Sequence, residues 1–347
     1  MDRPLISFSL ICYNQQSFIR EALEGAFAQT YSPLEIVVVD DCSPDRTFNI
    51  IREMADAYHG PHSLRIFQNQ ANLGLAGNFH RASELCRGEF VVSAAGDDVS
   101  LPMRTELIYR IWEESARRAT GIFSSHINIA ADGTEEGVAG TRDIAGGSSL
   151  TSRMVGDLFR FLSTRDPMVN GCSAAWSPRL WRYFGPVRGD LEDVVLSFRT
   201  LAIGELYYIS QPLLKYRRHQ DNVSWFSGER FRSFESREER LHWRNRATVR
   251  TYDNLLLDIE TLFQKGDIAS GDRDRLRAEA LRVQRPYCLE NRMIDGTATL
   301  RLRTVAGTAI RGDIKHALRF ALRALPRRAY RALYHLREMW TSSARRQ

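Results

Sequence analysis

Two rhythms of apolar and polar residues alternate along the first hundred positions. Leu5 to Ile11 is an apolar run of strand length, after which Phe18, Ile19, Ala22, Leu23 and Ala26 recur at helical spacing. Leu34 to Val39 is almost continuously apolar, as expected of a strand covered on both faces, and the Ser43-Pro44-Asp45 turn follows it. Ile50, Ile51, Met54 and Ala55 mark a second helix face, Leu64 to Phe67 a third strand, Phe79, Ala82, Leu85 and Cys86 a third helix, and Phe90 to Ala94 a fourth strand. Strands alternating with helices through short links predict a parallel α/β sheet with right-handed crossovers. Each predicted strand runs into a polar cluster: Tyr13-Asn14, Asp40-Asp41, Asn72 and Asp97-Asp98. Ligands of open parallel sheets bind beyond the carboxyl ends of the strands. One sheet edge is therefore expected to gather a nucleotide-sized set of polar groups.

The pattern loosens further on. Residues 131 to 149, rich in Gly, Thr, Ser and Asp, read as a long loop or hairpin, 151 to 163 as a helix, and Asn170 to Trp176 as a short strand. Asp193 to Ala202 has helical character and Leu206 to Ile209 that of a strand. From 229 to 264 the chain reads as a long charged amphipathic helix, then a break at Gly266 to Gly271, then a second helix over 272 to 293. These changes divide the chain into residues 1–225 and a helical C-terminal region, 226–347.

The net charge of +6 over 347 residues is a property of the tail. Residues 301 to 347 hold twelve Arg and Lys against Asp313 and Glu338, a surplus of ten that leaves the first 300 residues at −4. Arg311, Lys315, Arg319 and Arg323 recur every fourth residue, with Ile314, Ala317, Leu318, Ala321 and Leu325 on another face before Pro326. Such a basic amphipathic helix suits an anionic membrane surface, or a solvated face packed on its own domain. No run reaches the roughly 18 apolar residues of a spanning helix, and the N-terminus has no signal-peptide layout. No nucleic-acid motif accompanies the charge. Cys12, Cys42, Cys86, Cys172 and Cys288 are scattered without a CxxC pair, as in a cytoplasmic protein with reduced thiols.

The turn after the first strand, Cys12 to Ser17, lacks glycine, which argues against a dinucleotide fold, and no phosphate-binding P-loop sequence occurs. A nucleotide can still bind through side chains, with Tyr13 stacking on a base and Asp41 accepting from base or ribose. Alternatively, Asp40-Asp41 simply caps a strand-end turn. The Asp97-Asp98 carboxylates repel by a few kcal/mol at an effective dielectric of about 20. Solvent can relieve that repulsion, and so can a divalent cation with a preference for hard oxygen ligands, Mg or Mn.

The runs Ile6 to Asn14, Gln29-Thr30-Tyr31, Ile36 to Asp45, Asn72-Leu73-Gly74, Gly88-Glu89-Phe90 and Gly96-Asp97-Asp98 resemble family 2 glycosyltransferases in order and spacing, over roughly residues 4 to 225. The resemblance implies a GT-A fold: a Rossmann-like, mostly parallel sheet that holds a nucleotide-sugar beside a divalent metal. It implies nucleotide-sugar contacts from Cys12, Tyr13, Asn14, Asp41, Asn72, Asp97 and Arg218. It implies metal ligation by Asp97, Asp98 and His219, and Asp193, of the Glu192-Asp193 pair, as general base of an inverting transfer. Arg217 is the alternative to Arg218 for phosphate contact. One departure is Ala95, where many members carry an acid. The expected donor is a nucleoside-diphosphate sugar. The expected acceptor is a saccharide or lipid-linked saccharide of a bacterial surface polysaccharide, met on the inner face of the cytoplasmic membrane. Trp176 and Trp181 are candidates for acceptor contact, since aromatic faces suit sugar rings, although large aromatics usually belong to the core. Two other classes stay open: a nucleotidyltransferase, and a catalytically impaired glycan-binding or scaffold protein.

Overall fold

The computed structural model describes residues 3–140, 151–154, 158–164, 169–219, 222 and 234–295. The N-terminal rhythm folds as expected: β1 (Ile6–Cys12), α1 (Ile19–Phe27), β2 (Leu34–Asp40), α2 (Thr47–Asp56), β3 (Ser63–Gln68), α3 (Gly74–Leu85) and β4 (Phe90–Ala95). After these come β5 (Val99–Ser100), α4 (Arg104–Glu114), β6 (Ala119–Ala130), β7 (Glu135–Ala139), β8 (Thr151–Met154), α5 (Leu158–Thr164), β9 (Ala174–Trp176), α6 (Arg179–Phe184), α7 (Glu192–Ile203) and β10 (Glu205–Arg218). Two long helices close the described chain, α8 (Phe234–Gln264) and α9 (Ser270–Asp295).

The strands form one mixed sheet in the order β3-β2-β1-β4-β9-β6-β10-β5, with β7 added to β6 and β8 to β10. The first four strands are parallel. Their register explains why the polar clusters meet: Cys12 lies opposite Asp40, Asp40 opposite Gln68, and Ile11 opposite Ala95, so all four strands end at one level. Every residue of β2 is buried, as its unbroken apolar run predicts. Ile36 and Val38 pack on one face with Ile19, Leu23 and Phe90, while Val37 and Val39 pack on the other with Ala82. This two-sided burial follows from the period of two along a strand.

Two expectations are corrected. Residues 151–154 form a strand, antiparallel to β10, and helix begins only at Leu158. The Thr-Ser-Arg-Met stretch has no distinctive local period, so its partner strand decides its form. Asn170 to Trp176 contains a 3-10 turn at Gly171–Ser173 before the three-residue β9. β7, within the 131–149 segment, pairs with β6 as one arm of a hairpin.

The chain divides into two compact units, Met1–Ser227 with Arg250–Ala280, and Gly228–Val249 with Leu281–Gln347. In the first, the fully buried Arg199 of α7 grips Asp258 of α8 through two bonds, Nε to Oδ2 at 2.8 Å and Nη2 to Oδ1 at 3.0 Å. Its Nη1 also donates to Gly185 O at 2.8 Å, so the buried cation is both paired and hydrogen-bonded, as burial requires. In the second, Asn245 donates to Glu290 Oε2 at 2.7 Å and Gln284 to Val249 O at 2.9 Å. No helix among the described residues is long and apolar enough to cross a membrane. The basic face at 311–323 lies outside the described residues.

Candidate active site

The loops after β1 and β2 are laced together by side chains that hold backbone N–H groups. Ser43 Oγ accepts from Asn14 N at 2.8 Å, Thr47 Oγ1 from Gln15 N at 2.8 Å, and Asp45 Oδ2 from Gln16 N at 3.0 Å. Asn14 takes a φ of 55°, a left-handed conformation that Asn tolerates better than most residues. This lacing leaves Tyr13 45 % exposed at the end of β1, with a ring face available for stacking. Cys12 is buried instead: its thiol faces Val39 O and Asp40, and burial followed by the Asp40 charge pushes it well up. Gly96 sits against this strand end so closely that a Cβ there would meet Cys12 Cβ at 2.6 Å.

Asp40 and Asp41 are both occupied. Asp40 accepts from Ser43 N at 2.9 Å, Ser43 Oγ at 2.5 Å and Gln68 Nε2 at 3.0 Å. Asp41 accepts from Asn69 Nδ2 at 2.8 Å, Leu73 N at 2.8 Å and Gly74 N at 2.9 Å, and so caps the start of α3. Asn72 Oδ1 also accepts from Gly74 N at 2.8 Å, closing the same turn. With three of about four acceptor positions used, Asp41 retains one for a ligand.

The Asp97-Asp98 turn is held from a distance in sequence. β5, just after it, pairs antiparallel with β10, which brings the end of β10 over the turn. The backbone N–H of Arg217 donates to Asp98 Oδ1 at 2.8 Å, and its Nε to Asp97 O at 2.9 Å. The Arg217 guanidinium, 1 % exposed, reaches on to Glu21 at 2.8 Å and stacks over the Phe18 ring at 5.0 Å. His219 Nε2 lies 3.0 Å from Asp97 Oδ2, and Asn222 Nδ2 lies 3.4 Å from the same oxygen. Asp98 Oδ2 is buried without a hydrogen-bond partner among the described residues. Burial first, then the Asp97 charge, pushes the Asp98 carboxyl well up.

Adjacent ligands of an octahedral ion with bonds of about 2.1 Å lie about 3.0 Å apart. The Asp97–His219 spacing fits such a pair; the carboxylate suits Mn or Mg, while the imidazole favours a transition ion such as Mn over Mg. Asp98 engages Arg217 N rather than joining them: among the described residues no group of three His, Cys, Asp or Glu is arranged to hold an ion. The residues present thus fit a two-ligand site completed by ligand oxygens and water.

Glu192 and Asp193 open α7, where acids favour the helix dipole. Burial and then the Asp193 charge push the Glu192 carboxyl up to about 8. The 3-10 turn links this pair to the acidic turn. A Cβ on Gly171 would meet Glu192 Oε1 at 2.8 Å and Asp193 Cβ at 3.6 Å. The next residue, Cys172, lies beside Asp98, and burial followed by the Asp98 charge pushes its thiol well up. Two neighbouring residues therefore touch the two carboxylate groups, which stand 94 positions apart along the sequence at Asp98 and Glu192.

The remaining candidates are placed differently. Arg218 points away from Arg217, as strand alternation demands, and pairs with Glu136 at 3.3 Å. Arg217 is the arginine at the acidic turn. Trp176 is 1 % exposed in the core, out of an acceptor's reach, whereas Trp181 is half-buried and packs edge-on to Phe79. Sequence reasoning also missed Glu21, Arg104, Cys172 and Asn222, none of which carries a local signal.

Residues 7–135 match the family described as Glycosyl transferase family 2. The chain is 42 % identical over 94 residues to an uncharacterized protein of Mycobacterium tuberculosis, covering 27 % of each. It is 28 % identical over 221 residues to chondroitin synthase of Escherichia coli, covering 64 % of this chain and 30 % of that one. The aligned stretch thus spans less than a third of either relative's length. Among solved structures, residues 1–349 of S. aureus TarS in complex with UDP-GlcNAc align at a TM-score of 0.56 and 15 % identity, over 91 % of this chain and 89 % of that one. The fold is GT-A. Residues 7–135, within the first unit, carry a Glycosyl transferase family 2 domain.

Proposed function

We propose that the chain transfers a sugar, with inversion, from a nucleoside-diphosphate sugar to a hydroxyl of a saccharide or lipid-linked saccharide. The carrying observation is the Gly171–Ser173 turn, which joins the donor-side acid turn to the Glu192-Asp193 pair. On this reading Tyr13 stacks on the base and Asp41 supplies its remaining acceptor to the nucleoside. Asp193 accepts the proton of the attacking hydroxyl, and the proton held by Glu192 limits the charge that collects beside it. The hydroxyl oxygen forms its bond to the anomeric carbon as the bond to the diphosphate oxygen breaks. Asp97 and His219 would hold Mn or Mg, which when bound neutralises charge on the leaving diphosphate.

The acceptor belongs, on the same reading, to a bacterial surface polysaccharide met at the inner face of the membrane. The basic face at Arg311, Lys315, Arg319 and Arg323 supports this by its charge. A panel of UDP-, GDP- and TDP-sugars, assayed for nucleoside diphosphate release with Mn and then with EDTA, tests the proposal. Release of the diphosphate from one donor, lost with EDTA, is expected. Pyrophosphate as the product would indicate a nucleotidyltransferase, and saccharide binding without turnover of any donor would indicate a scaffold.

A further inference from the structure

Beneath the acidic turn lies a cation that the proposed chemistry does not use. Arg104, the first residue of α4, is fully buried. Its guanidinium meets no carboxylate directly and is ringed by neutral oxygens. Nη1 donates to Ser100 Oγ at 2.9 Å, and Nη2 lies 2.7 Å from both Ser93 O and Cys172 O and 3.3 Å from Ala174 O. Nε is buried without a partner among the described residues.

These acceptors are not scattered. Ser93 and Ser100 bracket the Asp97-Asp98 turn from either side, while Cys172 and Ala174 belong to the turn and strand whose Gly171 packs against Glu192-Asp193. A buried guanidinium charge is expensive to desolvate: burial lowers Arg104 to about 10, opposed through space by Cys172 and then by Asp98. Lysine could keep that charge. Only the planar fork of arginine reaches acceptors on separate segments at once.

We propose that Arg104 is a positioning residue that holds the Asp97-Asp98 turn and the Gly171–Ser173 turn in fixed register, and through them sets the distance between donor and base. The second clause rests on the glycosyltransferase reading, whereas the first does not. Arg199→Lys serves as a control, because Arg199 is an equally buried arginine of the same unit that contacts neither turn.

The test is hydrogen exchange of the full-length chain, wild type against Arg104→Lys and Arg199→Lys, each well below its own Tm. In Arg104→Lys, exchange should rise at least about tenfold in residues 93–100 and 170–175 together, with the rest of the sheet unchanged. Arg199→Lys should leave both segments as they are. Unchanged exchange in the two segments, or a uniform rise across the domain, would overturn the register claim. Ser100→Ala, which removes one tether and keeps the cation, should give a smaller joint rise if Arg104→Lys fails to fold, and no rise would overturn it equally. With an active donor, Arg104→Lys should lower kcat at least about tenfold with donor KM within about threefold. Equal losses of kcat in the two Arg→Lys variants would overturn the positioning role. A wild type inactive on every donor would remove the transferase reading and leave the exchange result standing.

Discussion

Two acidic pairs follow β2 and β4, the strands on either side of β1, and they are built in opposite ways. Asp40-Asp41 is satisfied by its own neighbourhood: Ser43, Gln68, Asn69 and the backbone N–H groups of Leu73 and Gly74. Asp97-Asp98 is held by residues more than a hundred positions away, Arg217, His219 and Asn222, and one of its oxygens has no partner among the described residues. A carboxylate bound by adjacent N–H groups shapes a loop. Here the Asp98 carboxylate takes the backbone N–H of Arg217, and the Asp97 carboxylate meets His219 and Asn222. On the proposed reading, Asp40 belongs to architecture, Asp41 to both, and Asp97 to chemistry.

The comparison breaks most readily at Asp97. Asp97→Asn should raise the half-saturating Mn concentration for donor turnover about 10–100-fold while Tm moves little. An unchanged Mn dependence would remove the distinction between the pairs. Asp41→Asn should do the reverse in kind, costing about 1–2 kcal/mol of stability in urea unfolding through the lost cap on α3. A variant as stable as wild type would show the cap to be idle.

Glu192 sharpens the contrast through pH. Its folded-state value of about 8 stands above the ordinary 4.5, so between those limits the folded chain holds a proton the unfolded chain has released. Stability from this group therefore falls as pH rises across that window. Glu192→Gln should gain in Tm over wild type steadily from pH 5 to 8, with the difference level beyond. A pH-independent difference would place the charge elsewhere. The smallest effect belongs to Arg218→Gln, which breaks a half-exposed ion pair with Glu136 and should change stability by less than about 1 kcal/mol and leave turnover intact. A large loss of turnover would return Arg218 to the site in place of Arg217.

Much of this architecture is legible in the amino-acid sequence. The runs from Leu5, Leu34, Leu64 and Phe90 are strands because their apolar content has no other use. Their common register follows from parallel pairing, so the clusters at Tyr13, Asp41 and Asp97 meet at one edge. What lies beyond such reading depends on long-range pairing. Arg217 and Arg218 look alike in sequence, and only the docking of β10 on β5 and β6 decides which faces the acids. Arg104 reads as an ordinary helix residue until Ser93, Ser100 and Cys172 close around it. The amphipathic pattern of residues 229–264 says nothing of their partner, and the Arg199–Asp258 pair is what ties Asp258 to α7 in the first unit.

The central claim is that the carboxylates at the start of α7 act on a sugar held at the acidic turn. Asp193→Asn tests it most directly, with transfer and nucleoside diphosphate affinity measured on the same preparation. The account predicts that transfer falls about 10²–10⁴-fold while the Kd of the nucleoside diphosphate stays within about threefold. Transfer at a near wild-type rate would contradict it.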